Sequence, residues 1–262
     1  DASVPLVGID FQFRGTGIVA AAKAGTETLA ARMLTEGAGP WDGDAFRQVL
    51  ADDAIGLSFQ AGRDSFDGNL TTLTANRAKA VQLLRAALTQ PRLDEAALRQ
   101  QKARLVAERR RSDTKPDAMA FRAWFRLAFA GHPYGQSIQG TATTIEAVEA
   151  ADIRQFLNRM LTRKGLTIGV AGDISPAELG VLLDEAFGSL SDHAPPPALA
   201  PIPALAAGLA VIPHPGPQSV IVFGQAGISR QDPDWYPALV VSQILGGSTF
   251  TSRLGAEVRE KR

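Results

Sequence analysis

Along most of the chain, apolar positions either alternate with a period of two or recur every three to four residues, and these two rhythms predict its elements. Val4 to Phe13 alternates imperfectly, with Ile9, Phe11 and Phe13 on one face of a strand that ends at Arg14-Gly15-Thr16-Gly17. A short amphipathic helix follows between Gly25 and Gly37, entered at a Thr26 cap. Asp44 to Asp53 predicts a second helix, with Phe46, Val49 and Leu50 spaced for one face. Ile55 to Ala61 and Phe66 to Thr74 alternate around Gly62-Arg63-Asp64, the pattern of an antiparallel pair. Helices are predicted for Ala75 to Gln90 and Asp94 to Asp113, broken by Pro91, and Pro116 opens another that runs to Phe129. Beyond the His132-Pro133-Tyr134-Gly135 turn, Thr144 to Leu161 reads as a helix in two pieces. Leu166 to Ala171 reads as a compact buried strand, and Pro176 to Phe187 as a helix capped by Ser175.

One sheet covered by several helices is an α+β domain, which we place at residues 1–192. Residues 193–207 break the pattern: Ala194-Pro195-Pro196-Pro197-Ala198-Leu199-Ala200-Pro201-Ile202-Pro203 is a semi-rigid extended linker. In residues 208–262, Leu209 to Pro213 and Ser219 to Ala226 read as strands and Asp234 to Leu245 as a helix ending at Gly246-Gly247. That order repeats the start of the chain, so a second domain of the same kind is expected to begin here. Both ends read as internal to a longer chain, since the sequence opens almost on a strand and closes on the uncapped run Glu257 to Arg262.

With 45% hydrophobic and 21% charged residues, the chain has enough apolar material for a buried core. Its 27 basic residues balance 27 acidic ones, so no field of one sign favours nucleic acid or an anionic membrane surface as partner. Cysteine is absent, which removes thiol nucleophiles and thiolate metal sites. No apolar run has the ~18 residues of a membrane span. His132, His193 and His214 stand in turns or beside prolines, without another ligand at metal spacing, and His132 is expected to be tied to the backbone of its turn. Ser58, Ser65 and Ser137 lack the context of a nucleophile. Gly15-Thr16-Gly17 is explained by a strand-end turn better than by a dinucleotide fingerprint, and Arg109-Arg110-Arg111 reads as a solvated helix face.

Five segments carry a resemblance. They are Gly25 to Gly39, Leu57 to Asp64, His132 to Gly135, the Gly169-Val170-Ala171-Gly172-Asp173 strand end, and Gly246-Gly247-Ser248 through Ser252-Arg253-Leu254 to Arg262. In order and spacing the chain resembles the M16 metallopeptidase family over nearly its whole length. That resemblance implies tandem homologous α+β domains. Active members carry the zinc motif H-x-x-E-H, whose positions here fall on Thr28, Ala31 and Arg32. A hydroxyl, a methyl and a permanent cation replace both histidine ligands and the general base. The third family ligand is a glutamate about 76 residues further on in a long helix, which counted from Arg32 is Glu108. Glu108 shares a face with Leu98, Gln101 and Leu105. Its carboxylate is expected to pair with the Arg32 guanidinium in place of the metal, the alternative being two independent solvated side chains.

Arg259 stands where active two-domain members, or the partner chains of heterodimers, carry an arginine that helps to hold substrate and stabilise the tetrahedral intermediate. The tyrosine expected seven positions later lies past residue 262, and the alternative for Arg259 is an exposed arginine at a charged helix end. The resemblance therefore implies a non-catalytic, substrate-binding subunit of a heterodimeric zinc peptidase. No metal or other cofactor is expected on this chain, with zinc on an H-x-x-E-H-bearing paralogue, an extended peptide as substrate, and the periplasm rather than the cytoplasm as compartment. The alternatives are a structural scaffold protein of the same fold, and an enzyme acting alone through a new site.

Overall fold

The computed structural model describes residues 4–15, 23–197, 199, 201–202, 208–247 and 251–261. Thr16 and Gly17 of the first turn, Ser248, Arg262 and much of the 193–207 linker lie outside these residues. The chain divides into two compact units, Asp1–Val222 and Phe223–Arg262.

The first unit is built on an antiparallel sheet of four strands among the described residues. They are β1 (Leu6–Arg14), β2 (Gly56–Ala61), β3 (Ser65–Leu73) and β4 (Leu166–Gly172), in the spatial order β2-β3-β1-β4. The alternation read in the sequence is why only one face is dry. Val7, Ile9, Phe11 and Phe13 of β1 are buried, as are Phe66 and Leu70 of β3, while the intervening residues face out. On the outer face, Gln12 donates to Asp67 at 2.8 Å and Asn69 to Asp10 at 2.7 Å, polar cross-strand pairs suited to solvent.

The helices are α1 (Thr26–Met33), α2 (Gly43–Asp52), α3 (Arg77–Thr89), α4 (Glu95–Asp113), α5 (Pro116–Ala128), α6 (Ala142–Glu146), α7 (Ala150–Met160) and α8 (Pro176–Phe187). Local chemistry starts several of them. Asp42 accepts the Ala45 amide ahead of α2, and Ser175 and Glu178 close a reciprocal capping box on α8. Thr26 is not a cap, however. The capping position is Gly25 at φ 107°, a left-handed geometry that costs glycine little, and Glu27 accepts the Gly25 amide.

An aromatic cluster marks the centre of the core. Phe11 lies edge-on to Phe13, Phe59 and Phe187, with centroids 5.9, 6.0 and 5.2 Å away. The ring has room because Gly68 stands directly opposite Phe11 in the register, where a Cβ would come within 2.2 Å of the ring. Leu29, Ala30 and Met33 fix α1 to this core, since all three are fully buried.

Three strand expectations need correction. β4 is half-buried with alternating exposure rather than a fully buried run, because helices cover only one face of the sheet. Leu209 to Pro213 and Ser219 to Ala226 form no strand: no ladder partner meets them among the described residues, and extended backbone without a neighbour cannot satisfy its own hydrogen bonds. The second unit carries α9 (Trp235–Ser242), shorter than the predicted 234–245, followed by wide helical turns at Gln243–Gly247 and Gly255–Glu260.

Candidate functional site

The site grows from α1 and α4, which pack together below the sheet. Because α1 buries Leu29, Ala30 and Met33, the helical period turns Thr28 and Arg32 toward its other side, one turn apart. The Thr28 hydroxyl donates to the Ile138 carbonyl at 3.1 Å, tying α1 to the loop before α6. Ala31 is buried and offers no polar atom. Arg32 reaches Glu108 on α4 with two parallel bonds, Nη2 to Oε2 at 2.6 Å and Nη1 to Oε1 at 3.3 Å. This bidentate form is the strong one for a guanidinium and a carboxylate. The side chains are 25% and 37% exposed, so the pair sits at a rim rather than in the interior.

Electrostatics around Glu108 are lopsided. The Arg32 hydrogen bonds hold its carboxyl below the usual carboxylate range against the opposing effect of burial, and the charges of Arg104 and Arg111 act in the same direction as Arg32. Arg104 lies one turn before Glu108 on α4, with Nε 3.5 Å from the carboxylate, and Arg111 lies one turn after it. Next to this cluster Glu36 accepts from Gln101 at 2.7 Å and from Arg47 at 2.6 Å, joining the end of α1 to α4 and α2.

Taken by chemistry, the donor set does not fit zinc. Thr28, Ala31 and Arg32 supply no imidazole, carboxylate or thiolate, and the remaining carboxylate is engaged by a guanidinium. Among the described residues no group of three His, Asp or Glu side chains converges as a metal site.

The β2–β3 turn is clamped in a way the sequence did not disclose. Tyr134 donates its hydroxyl to both oxygens of Asp64, at 2.7 and 2.6 Å, and Arg63 stacks over Phe125 at 4.6 Å. Burial and the Asp64 carboxylate push the Tyr134 phenol up to about 12. His132 accepts the Tyr134 amide at 3.2 Å, so its ring is indeed tied to its turn.

The arginine run needs correction. Arg109 is not solvated: its side chain is only 11% exposed and pairs with Asp113, which Arg122 of α5 also reaches, because this face of α4 packs on α5. Arg111 belongs with Glu108. The i−4 and i+3 offsets of Arg104 and Arg111 from Glu108 are the signal that could have located both. Arg259 is exposed, in the Gly255–Glu260 turn of the second unit.

Comparison with known proteins gives this geometry a lineage. The family model described as "Peptidase M16 inactive domain" matches residues 147–262. A crystal structure of a peptidase M16 inactive domain from Pseudomonas fluorescens superposes over 100% of the chain with a TM-score of 0.85 and 26% identity. The chain resembles M16 inactive domains along its whole length. Two curated relatives bracket the match. One is a probable mitochondrial-processing peptidase subunit beta of Schizosaccharomyces pombe, 27% identical over 64% of this chain and 38% of that protein. The other is the non-peptidase homologue YmxG of Helicobacter pylori, 24% identical over 65% of this chain and 40% of that protein. The chain thus spans about two-fifths of these M16 relatives and 64% of the Pseudomonas structure. Among the described residues no helix is long and apolar enough to cross a membrane.

Proposed function

We propose that this chain is the non-catalytic, substrate-binding subunit of a heterodimeric zinc metallopeptidase. The observation that carries the reading is the bidentate Arg32–Glu108 pair: at the positions where the family's resemblance expects zinc and its ligands, a fixed cation holds the one surviving carboxylate. A paralogue with an intact H-x-x-E-H supplies the metal and general base in this reading. Arg259, charged at every working pH and rich in donors, serves the developing oxyanion in that partner's site together with a tyrosine beyond residue 262.

The peptide binds in extended form along β2. That strand is at the edge of the sheet, and Gly56 to Ala61 contains no charge and no proline to discourage an added strand. The segment from 208 onward begins a second M16 domain in this reading. Leu209, Val211, Ile221 and Phe223 are each more than 75% exposed, which supports surfaces made for burial in a larger whole. The compartment we propose is the periplasm.

Mixing the full-length chain with its H-x-x-E-H paralogue is expected to restore peptide hydrolysis that neither gives alone. Arg259→Ala in the full-length protein lowers turnover while leaving heterodimer formation intact. Full activity with that arginine removed would refute its role, and failure of any zinc-bearing paralogue to copurify would leave a scaffold as the better reading.

A further inference from the structure

We propose that Arg32, Arg104 and Arg111, gathered around the single carboxylate of Glu108, form a receiving site for an acidic side chain of the bound peptide. This names the substrate class of the proposed peptide-binding subunit and rests on that reading. The argument begins with charge: three guanidiniums surround one carboxylate, so the cluster keeps an excess of two positive charges. The three are not equally committed. Arg32 is locked to Glu108 by both of its terminal nitrogens. Arg104 is 69% exposed and only brushes Oε1 at 3.5 Å, and exposed Arg111 forms no ion pair among the described residues. Two forked donors therefore face solvent on one side of α4, beside a carboxylate that is already taken. A planar fork of this kind is matched by a second carboxylate, which would also relieve the repulsion among the cations.

Placement supports a peptide as the source of that carboxylate. Helix α1 packs on α4 and on β2, one of the two edge strands among the described residues, so the cluster lies one helix away from the strand offered to the peptide. A helix is about 10 Å across. An extended chain advances ~3.4 Å per residue. The acidic residue is therefore expected about three positions outside the segment paired to β2.

The test uses the full chain and a fluorescein-labelled extended peptide bearing a Glu pair, with a Gln-substituted copy and a backbone N-methylated copy, read by fluorescence anisotropy. At low salt the Glu peptide is expected to bind about tenfold tighter than the Gln peptide, and the ratio falls toward one in high salt. In the Arg104→Gln/Arg111→Gln double variant, whose exposed positions leave the fold intact by circular dichroism, the ratio is also near one and Gln-peptide affinity is unchanged. Equal binding of Glu and Gln peptides, or a preference that survives the double variant, overturns the acidic site and leaves strand-edge binding standing. A preference that depends on both arginines but ignores N-methylation keeps the acidic site and removes the edge. Binding of neither peptide overturns both.

Discussion

Removing either half of the Arg32–Glu108 pair is expected to give unequal costs, and the inequality tests how the charges are arranged. Two unit charges ~4 Å apart interact by ~4 kcal/mol at the effective dielectric of a protein surface and ~1 kcal/mol in water. Exposures of 25% and 37% place this pair toward the watery end, so its net worth is about 1–2 kcal/mol. In Arg32→Met the apolar stem is kept and Glu108 still has Arg104 and Arg111 beside it, which limits the loss to about 1 kcal/mol. In Glu108→Gln three cations face one another with no carboxylate among them, and the loss rises to about 2 kcal/mol. The double variant should fall short of the summed losses by about 1 kcal/mol, the coupling energy of the pair. Urea unfolding followed by far-ultraviolet circular dichroism measures all four proteins, and the differences shrink in 1 M salt, estimated from a screening length of about 3 Å. The pH sign follows from the depressed carboxyl: the advantage of the wild type over Glu108→Gln is complete above pH 4.5 and disappears as pH falls through the lower folded value. Equal losses in the two single variants, or no coupling in the double, would refute the arrangement.

Restoring the motif with Thr28→His, Ala31→Glu and Arg32→His is expected to create zinc affinity in the micromolar range or better by equilibrium dialysis, estimated at about −8 kcal/mol; a triple variant that folds but takes up no zinc would show that these positions and Glu108 do not converge. Gly68→Ala should destabilise by about 2–3 kcal/mol in urea, because the new methyl meets the Phe11 ring and neither strand can retreat without breaking the ladder. Spectrophotometric titration should find Tyr134 ionising near pH 12 and lower in Asp64→Asn, where burial, the largest cause of the shift, still holds it above its ordinary value. With the folded value raised, the contribution of that bond is whole below pH 10 and lost between 10 and 12, so alkaline unfolding of the wild type and Asp64→Asn should converge there.

The parts of the fold legible in the sequence are those whose cause is local. Alternation in β1 and β3 follows from one dry face, and the capping chemistry at Ser175 lies within four residues, so pattern and structure agree there. Residues 209–226 also alternate, yet alternation only states which face would be buried and cannot supply the neighbouring strand. At the site, Arg32 and Glu108 could be joined by a family offset, and the bond between them is there. Tyr134 and Asp64 are 70 residues apart with no periodicity linking them, so only the folded chain brings them together. Arg109 departs from a solvated face because composition shows a run of charge but not which face of α4 meets α5.

The edge of β2, bare among the described residues, bears on handling as well as on recognition. A strand without charge, proline or bulge accepts any strand that reaches it, including the same strand of another copy. Peptide capture and self-association then compete for one row of backbone groups. Dilution and excess peptide favour the first, and concentration favours the second. A preparation that clouds on concentrating and clears when peptide is added would be reporting on the binding edge itself.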